Sequence, residues 1–310
     1  MTQGIERPSF AVVIPTYNRA QRLLGTLETV FNQDEPPAEI IVVDNCSTDE
    51  TTVVVEALAA AHPELRYIRH ETNLERAASR NTGMSNATAD FVTFLDSDDR
   101  MYPQNLREAG DFAANSGAKF FHNLYHSVHE DGTHFRSWPA PSLRNQLRAI
   151  ALGNFLACIG VFIHRDIYSA YRFDTNPVIT GSEDYDFWLR VAADHPLKRI
   201  SRVNSAIVQH MGRTMMSQDT RVVEERIDYL LEKVGSDPHL GRVYAPYLKR
   251  MQAGRMVFLA MVANDNRETG AAFAYLRRAL TAHPWIAVHS IFIRSLQLAI
   301  GNALRSAVRA

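Results

Sequence analysis

Three carboxylates stand at the end of one short apolar run in this chain. Residues 90–100 read DFVTFLDSDDR, which places Asp96, Asp98 and Asp99 directly after the run Phe91–Leu95. Like charges this close repel one another, and their burial is costly unless cations or hydrogen-bond donors compensate. Two explanations stay open: a solvated turn, which such short motifs most often form, or an open site for Mg²⁺ or Mn²⁺, cations that prefer oxygen ligands.

A second pair of adjacent carboxylates, Glu183 and Asp184, opens the segment GSEDYDFWLRVAADHP. Their mutual repulsion can raise the pKa of one carboxyl group, which suits a general base that works near neutral pH. The dipole of a helix acts in the opposite direction, and it favours acidic residues at a helix start without any catalytic role. The pair is therefore either a catalytic base with its neighbour or an ordinary helix start.

The elements that must position these groups alternate along the first 125 residues. Apolar runs predict strands at 10–15, 39–44, 65–70, 91–96 and 118–123, and helical patterns lie between them at 20–31, 49–61, 74–86 and 103–115. Near-continuous apolar strands separated by helices indicate an α/β fold with a mostly parallel sheet that is flanked by helices on both faces. Ligands of such sheets bind beyond the carboxyl ends of the strands, so residues 15–18, 44–45 and 96–99 are expected near one another.

Composition narrows the class of protein. The 310 residues carry a net charge of -1, which provides no general attraction for nucleic acid. Cys46 and Cys158 do not have the spacing of a zinc site or a disulfide framework. The first ten residues lack the apolar region of a signal peptide, and the longest apolar run, 149–163, is too short to span a bilayer. We therefore expect a cytoplasmic protein with no nucleic-acid partner.

The end of the chain has a different pattern. From about residue 219 the sequence is helical throughout, which predicts a domain at 1–215, with halves at 8–125 and 126–215, and a helical region at 216–310. Segment 269–310 interleaves arginines with large apolar residues and contains no Asp or Glu. It is either an interfacial helix on the inner face of the cytoplasmic membrane or a helix packed on its own domain or on a second subunit of a homo-oligomer.

Five motifs occur in a fixed order: VVIPTYNR, IIVVDNCSTDET, NLERAASRNTG, FLDSDD and GSEDYDFWLRV. With these motifs, residues 8–215 resemble the family 2 inverting glycosyltransferases, which have a GT-A fold. The resemblance implies a Rossmann-like sheet over residues 8–215, to which the helical pattern from about residue 219 adds an α-helical C-terminal extension. It also implies transfer of a sugar from a nucleotide-diphosphate sugar to a hydroxyl of a glycan or lipid-linked acceptor, in cell-surface polysaccharide biosynthesis.

The resemblance also assigns the residues that hold the donor. The nucleotide-sugar residues it implies are Pro15, Thr16, Tyr17, Asn18, Asp44, Asn45, Arg80, Asp96, Asp98, His210 and Arg213. Asn45 stands where many relatives have a second Asp, and an amide oxygen can still accept the imide N–H of uracil or thymine. The base is therefore left open between UDP- and dTDP-sugars.

The metal and the proton acceptor follow from the same resemblance. Asp98 and Asp99 are the preferred ligands of Mg²⁺ or Mn²⁺ and Asp96 the ribose contact, although the three are not firmly separated. The cation and the diphosphate together would relieve the repulsion among these carboxylates. Asp184 is the expected base for the acceptor hydroxyl, with Glu183 beside it.

Two other classes of protein share such a sheet. A nucleotidyltransferase or an NAD-dependent oxidoreductase also uses an α/β fold, although PTYNR stands where a dinucleotide-binding enzyme has GxGxxG. A non-catalytic nucleotide-sugar-binding protein is the third alternative. The presence of both acidic sites favours an enzyme over such a protein.

Overall fold

The structure is a computed structural model that describes residues 7–210 and 218–309. These residues form two compact units. The first contains residues 7–143 and 156–210, and the second contains residues 144–155 and 218–309. Residues 144–155 belong to the second unit although they precede the boundary that the sequence predicts between residues 215 and 216.

One sheet runs through the first unit. Its strands are β1 (Phe10–Thr16), β2 (Glu39–Asp44), β3 (Leu65–Arg69), β4 (Phe91–Phe94), β5 (Arg100–Met101), β6 (Phe120–His129), β7 (His134–Ser137), β8 (Val161–His164) and β9 (Leu197–Gln209). The order is β3-β2-β1-β4-β8-β6-β9-β5, and β7 pairs with β6. Strands β3, β2, β1 and β4 are parallel, as predicted, whereas β8 is antiparallel to β4 and β6, so the whole sheet is mixed.

The α-helices are α1 (Ala20–Phe31), α2 (Thr51–Ala59), α3 (Glu75–Asn86), α4 (Asn105–Ser116), α5 (Gln146–Leu152), α6 (Arg165–Tyr168), α7 (Glu183–Asp194), α8 (Thr220–Ser236), α9 (Pro238–Tyr244), α10 (Leu248–Asp265), α11 (Thr269–Ala282) and α12 (Ser290–Arg309). Helix α5 and helices α8 to α12 belong to the second unit. Helices α1 to α4 lie where the sequence pattern predicts them, and their ends differ by two residues or fewer from the predicted ends. The predicted α/β class with a helical extension is confirmed.

The core of the first unit explains the near-continuous apolar strands. Every residue of β1 is buried, because helices cover both faces of the sheet. Helix α3 approaches β1 so closely that a Cβ added at Gly83 would overlap Cγ1 of Val13. This close approach brings the polar residues of α3 to the carboxyl end of the sheet.

The second unit is built around α10. Its helix α12 buries Phe292 and Ala299 in the core and leaves Ile293, Ile300 and Leu304 exposed. None of the helices in residues 7–210 and 218–309 is long and apolar enough to cross a membrane.

Candidate active site

Strand β1 ends in the first predicted binding segment. Pro15 and Thr16 are buried in the strand, whereas the side chain of Tyr17 is 44% exposed. Asn18 adopts a left-handed backbone conformation with φ of 50°, which Asn tolerates better than most residues. Tyr17 is therefore the side chain of this segment that offers an accessible aromatic face to a ligand.

Asn18 and Asp44 fix the loop that follows β2. The N–H of Asn18 donates to Oγ of Ser47 (2.9 Å), and the N–H of Ser47 donates to Oδ1 of Asp44 (2.9 Å). The hydroxyl of Tyr67 donates to Oδ2 of Asp44 (2.6 Å). Burial and this hydrogen bond raise the pKa of Tyr67 to about 12, so it remains a donor at neutral pH. Asp44 is fully buried, and both of its oxygens accept from the chain itself.

Asn45 holds the turn that leads into α3. Its Nδ2 donates to Oδ1 of Asn73 (2.6 Å), and its Oδ1 accepts the N–H of Leu74 (2.8 Å). Nδ1 of His70 lies 3.2 Å from the same oxygen. Base recognition by Asp44 and Asn45 stays a prediction, and the contacts within the chain give both residues a clear role in shaping the loops.

Arg80 joins two of the predicted motifs. Its guanidinium is buried, with Nη1 donating to Oε1 of Glu183 (2.9 Å) and Nη2 donating to Oδ1 of Asp96 (2.9 Å). Burial alone would lower the pKa of Arg80, but the acidic groups around it, which also include Asp184, raise it. The carboxyl end of β4 and the start of α7 are therefore tied together through one buried cation.

Glu183 is held as an anion. Besides Arg80, Nε of Arg76 lies 3.6 Å from Oε1 of Glu183, and the N–H of Gly181 donates to Oε2 (2.6 Å). Burial raises the pKa of Glu183, but Arg76 and Arg80 lower it more, so the net shift is downward. A carboxylate with a lowered pKa and two cationic neighbours is a weak proton acceptor. These contacts favour a positioning role for Glu183.

Asp184 lies next to Glu183 in the first turn of α7 and is only half-buried. Its Oδ1 accepts the N–H of Tyr185 (2.7 Å). Burial, and secondarily the charge of Asp184, raises the pKa of Tyr125 to about 12. Asp184 therefore lies within electrostatic reach of Tyr125, whose ring packs 5.4 Å from that of Trp138. Of the two predicted catalytic carboxylates, Asp184 is the more accessible.

The three carboxylates after β4 take three different partners. Asp96 accepts from Arg80, as described above. Asp98 accepts from Nη1 of Arg19, and Nε2 of His210 lies 2.7 Å from its Oδ2. Oδ1 of Asp99 accepts the N–H of Val208 in β9 (3.0 Å), and its side chain is buried. The repulsion expected from the sequence is relieved by donors of the chain itself.

A divalent cation would have to find its protein ligands among the residues that surround these carboxylates. Within the described part of the chain, no group of three or more His, Cys, Asp and Glu side chains could hold a metal ion. Nε2 of His210 lies within hydrogen-bonding distance of Oδ2 of Asp98 (2.7 Å), and the same oxygen accepts from Arg19. A cation at Asp98 would have to replace these contacts and take its other ligands from a diphosphate and water. Asp99 has a similar constraint, because its buried carboxylate accepts a backbone N–H. The predicted pairing of Asp98 with Asp99 stays a prediction.

Sequence reasoning did not single out Arg19 or Arg76. Arg19 follows the motif residues Pro15–Asn18 directly, and Arg76 precedes Arg80 by four residues, which places both arginines of α3 on one helix face. Those two spacings were the available signals. The predicted diphosphate contact Arg213 lies outside the described residues.

Known proteins resemble this chain in sequence and in structure. The family model described as Glycosyl transferase family 2 matches residues 11–176. An uncharacterized glycosyltransferase of Rickettsia conorii is 24% identical over 86% of this chain and 43% of its own length. A putative teichuronic acid biosynthesis glycosyltransferase of Bacillus subtilis, TuaG, is 27% identical over 59% of this chain and 71% of its own. The chain thus spans less than half the length of the Rickettsia relative.

Two solved structures share the fold. Residues 1–349 of Staphylococcus aureus TarS in complex with UDP-GlcNAc match with a TM-score of 0.63 at 19% identity, over 95% of this chain and 89% of that one. A mannosyltransferase of Pyrobaculum calidifontis in complex with GDP-Man and Mn²⁺ matches with a TM-score of 0.61 at 19% identity, over 97% of this chain and 87% of that one. These matches confirm the predicted GT-A architecture.

Proposed function

Since this chain belongs to glycosyltransferase family 2, we propose that it moves a sugar from a nucleoside-diphosphate sugar to a hydroxyl of a glycan or lipid-linked acceptor, with inversion at the anomeric carbon. The observation that carries this proposal is the contact of buried Arg80 with both Asp96 and Glu183. It joins the strand end assigned to the donor to the helix start assigned to the acceptor. The similarity to TuaG, a putative teichuronic acid biosynthesis glycosyltransferase, supports a role in cell-surface polysaccharide assembly.

Asp184 is the proposed base. Glu183 is tied to two guanidinium groups and its pKa is lowered, whereas Asp184 is half-buried at the same helix start. Asp184 takes the proton of the acceptor hydroxyl while that oxygen attacks the anomeric carbon. The bond from this carbon to the diphosphate oxygen breaks on the opposite face, and the electron pair leaves with the diphosphate. One displacement of this kind inverts the configuration and needs no carboxylate nucleophile.

We propose that the donor is held by Tyr17, Asp96, Asp98 and His210. Tyr17 offers its exposed ring to the base, which we assign to uridine or thymidine, and Asp96 lies at the ribose. Asp98 and His210 would hold Mg²⁺ or Mn²⁺, which supplies stabilisation of the negative charge on the leaving diphosphate. The structural neighbours carry UDP-GlcNAc in one complex and GDP-Man with Mn²⁺ in the other, so this fold accommodates more than one base.

A cytoplasmic location with peripheral membrane contact through residues 269–310 is also a proposal. The exposed face of α12 supports it, because Ile293, Ile300 and Leu304 lie there together with Arg294 and Arg305. Formation of a homo-oligomer stays a prediction from the sequence.

The activity is tested with a panel of nucleotide sugars, each incubated with Mn²⁺, Mg²⁺ or EDTA, and the released nucleoside diphosphate is measured. We expect release with at least one uridine or thymidine donor that EDTA suppresses. Asp184→Asn should abolish transfer and leave donor binding intact, measured as the rise in melting temperature with nucleoside diphosphate and Mn²⁺. Asp194→Asn, at the exposed far end of the same helix, is the matched control. Absence of release with every donor would contradict the proposed function.

A further inference from the structure

The second unit contains a pocket that is rich in basic side chains. Two adjoining cavities of about 470 and 320 Å³ share three lining residues, Arg148, Arg250 and His283. The larger cavity is also lined by Lys249, and the smaller one by Trp285 and His289. We call these six residues the basic pocket.

In the described part of the chain, no carboxylate balances the positive charge of the basic pocket. Among the residues that the structure describes, no Asp or Glu lines either cavity, and Arg148, Lys249 and Arg250 form no ion pair. Nε of Arg250 donates to the backbone oxygen of Arg148 (3.0 Å), which holds the Arg250 guanidinium at the pocket. Burial and the nearby charge of Arg148 lower the pKa of Arg250. Two cationic groups are therefore kept side by side without a counter-ion among residues 7–210 and 218–309.

The pKa values of the two pocket histidines, His283 and His289, are lowered by burial and by the neighbouring arginines. Burial, followed by the charges of Arg250 and Arg148, lowers the pKa of His283. Burial and Arg250 lower the pKa of His289. An anion in the pocket would attract the arginines and the protonated histidines and offset their mutual repulsion, so the arrangement favours an anionic ligand.

The shape and the rim of the pocket indicate which anion. Guanidinium groups bind phosphate through paired N–H donors, and a phosphate ester can carry more than one negative charge to match several cations. The indole of Trp285 is 76% exposed, and an exposed aromatic ring can cover the ring or apolar part that adjoins the phosphate. We propose that the basic pocket binds the phosphate of a phosphate ester, either a soluble phosphorylated compound or a lipid headgroup. The pocket shares no residue with the candidate active site, so this proposal does not rest on the proposed function.

Binding is tested on the full chain in EDTA by calorimetric titration with inorganic pyrophosphate and with glycerol phosphate. EDTA removes the divalent cations on which diphosphate binding at the carboxylates after β4 would depend. We expect Arg148→Ala to weaken binding by about tenfold, because a charged hydrogen-bonding partner is lost, and Arg148→Glu to abolish it. Arg242→Ala and Arg242→Glu are the matched controls, because Arg242 is an exposed arginine of the same unit that does not line the pocket. Melting temperatures of all variants check that they are folded.

A second arm separates the two sources of phosphate. Flotation is measured with vesicles of phosphatidylglycerol and of phosphatidylcholine. Binding to phosphatidylglycerol alone, which Arg148→Glu removes and Arg242→Glu preserves, assigns the pocket to a lipid headgroup. Pocket-dependent binding of the soluble probes without flotation assigns it to a soluble phosphate ester. Failure of the unmodified protein to bind any probe, or equal weakening by the Arg148 and Arg242 variants, would overturn the proposal.

Discussion

Replacement of Glu183 by Gln tests the arrangement around Arg80. The substitution keeps the shape of the side chain and removes the negative charge that two guanidinium groups face. Loss of one partner of a buried ion pair costs about 3–5 kcal/mol. Arg80 retains its contact with Asp96, whose side chain is 27% exposed, so we expect the lower end of that range, about 3 kcal/mol.

The assay must report the first unit alone, because a chain with two units need not unfold in one step. The chain has three tryptophans, and Trp188 is fully buried in the first unit. In a background with Trp138 and Trp285 replaced by Phe, fluorescence during urea unfolding reports the surroundings of Trp188. The unfolding midpoints of Glu183→Gln and Asp184→Asn are then compared. Asp184 is half-buried and outside the ion pair with Arg80, so its variant should lose less than about 1 kcal/mol.

The pH dependence provides an independent measurement. The folded-state pKa of Glu183 is lowered from its ordinary value of 4.5, so the charge of Glu183 contributes stability above pH 4.5 that is lost as the pH falls through the folded pKa. The stability difference between the unmodified protein and Glu183→Gln should therefore be largest near neutral pH and shrink in acid. An unchanged midpoint in Glu183→Gln, or a difference that grows in acid, would refute the reasoning.

Two further predictions concern close packing and metal binding. Gly83→Ala should destabilise the first unit by about 1–3 kcal/mol, because the added Cβ overlaps Val13. Gly25→Ala in α1 has open space around it and should stabilise the unit by about 0.5–1 kcal/mol. Equal urea unfolding midpoints of the two variants would contradict the contact between Gly83 and Val13. Asp98→Asn and His210→Ala should each abolish the Mn²⁺-dependent rise in melting temperature with nucleoside diphosphate, because the first removes the negative charge of one proposed ligand and the second removes the imidazole of the other. Retention of that rise in both variants would exclude this pair as the metal site.

The position of the candidate site was predictable from the sequence, because it depends on where apolar strands end. The pattern places β1, β2 and β4 within two residues of their observed ends. Parallel pairing then brings their carboxyl ends to one edge of the sheet. Periodicity and strand order are local properties of the sequence, which is why this part could be predicted.

The partner of each carboxylate could not be predicted in this way. Asp99 accepts a backbone N–H of β9 that is 109 residues distant in sequence, and Glu183 pairs with Arg80 at a distance of 103 residues. These contacts depend on the register of β9 and on the approach of α3 to β1, which a single sequence does not specify. The packing of residues 144–155 within the second unit also depends on a contact between distant residues, because Gly254 in α10 leaves room for the backbone of Leu152.

The distribution of partners changes the interpretation of the carboxylates after β4. From the sequence, a cation and a diphosphate were expected to relieve their repulsion, but Arg80, Arg19 and the N–H of Val208 already compensate Asp96, Asp98 and Asp99 respectively. Folding of this edge therefore needs no divalent cation. On the proposed function, a diphosphate bound beside Asp98 would add negative charge, and a divalent cation would neutralise that added charge. We therefore expect the proposed metal dependence to be a property of donor binding, and the stability of the protein without donor to be the same with and without EDTA.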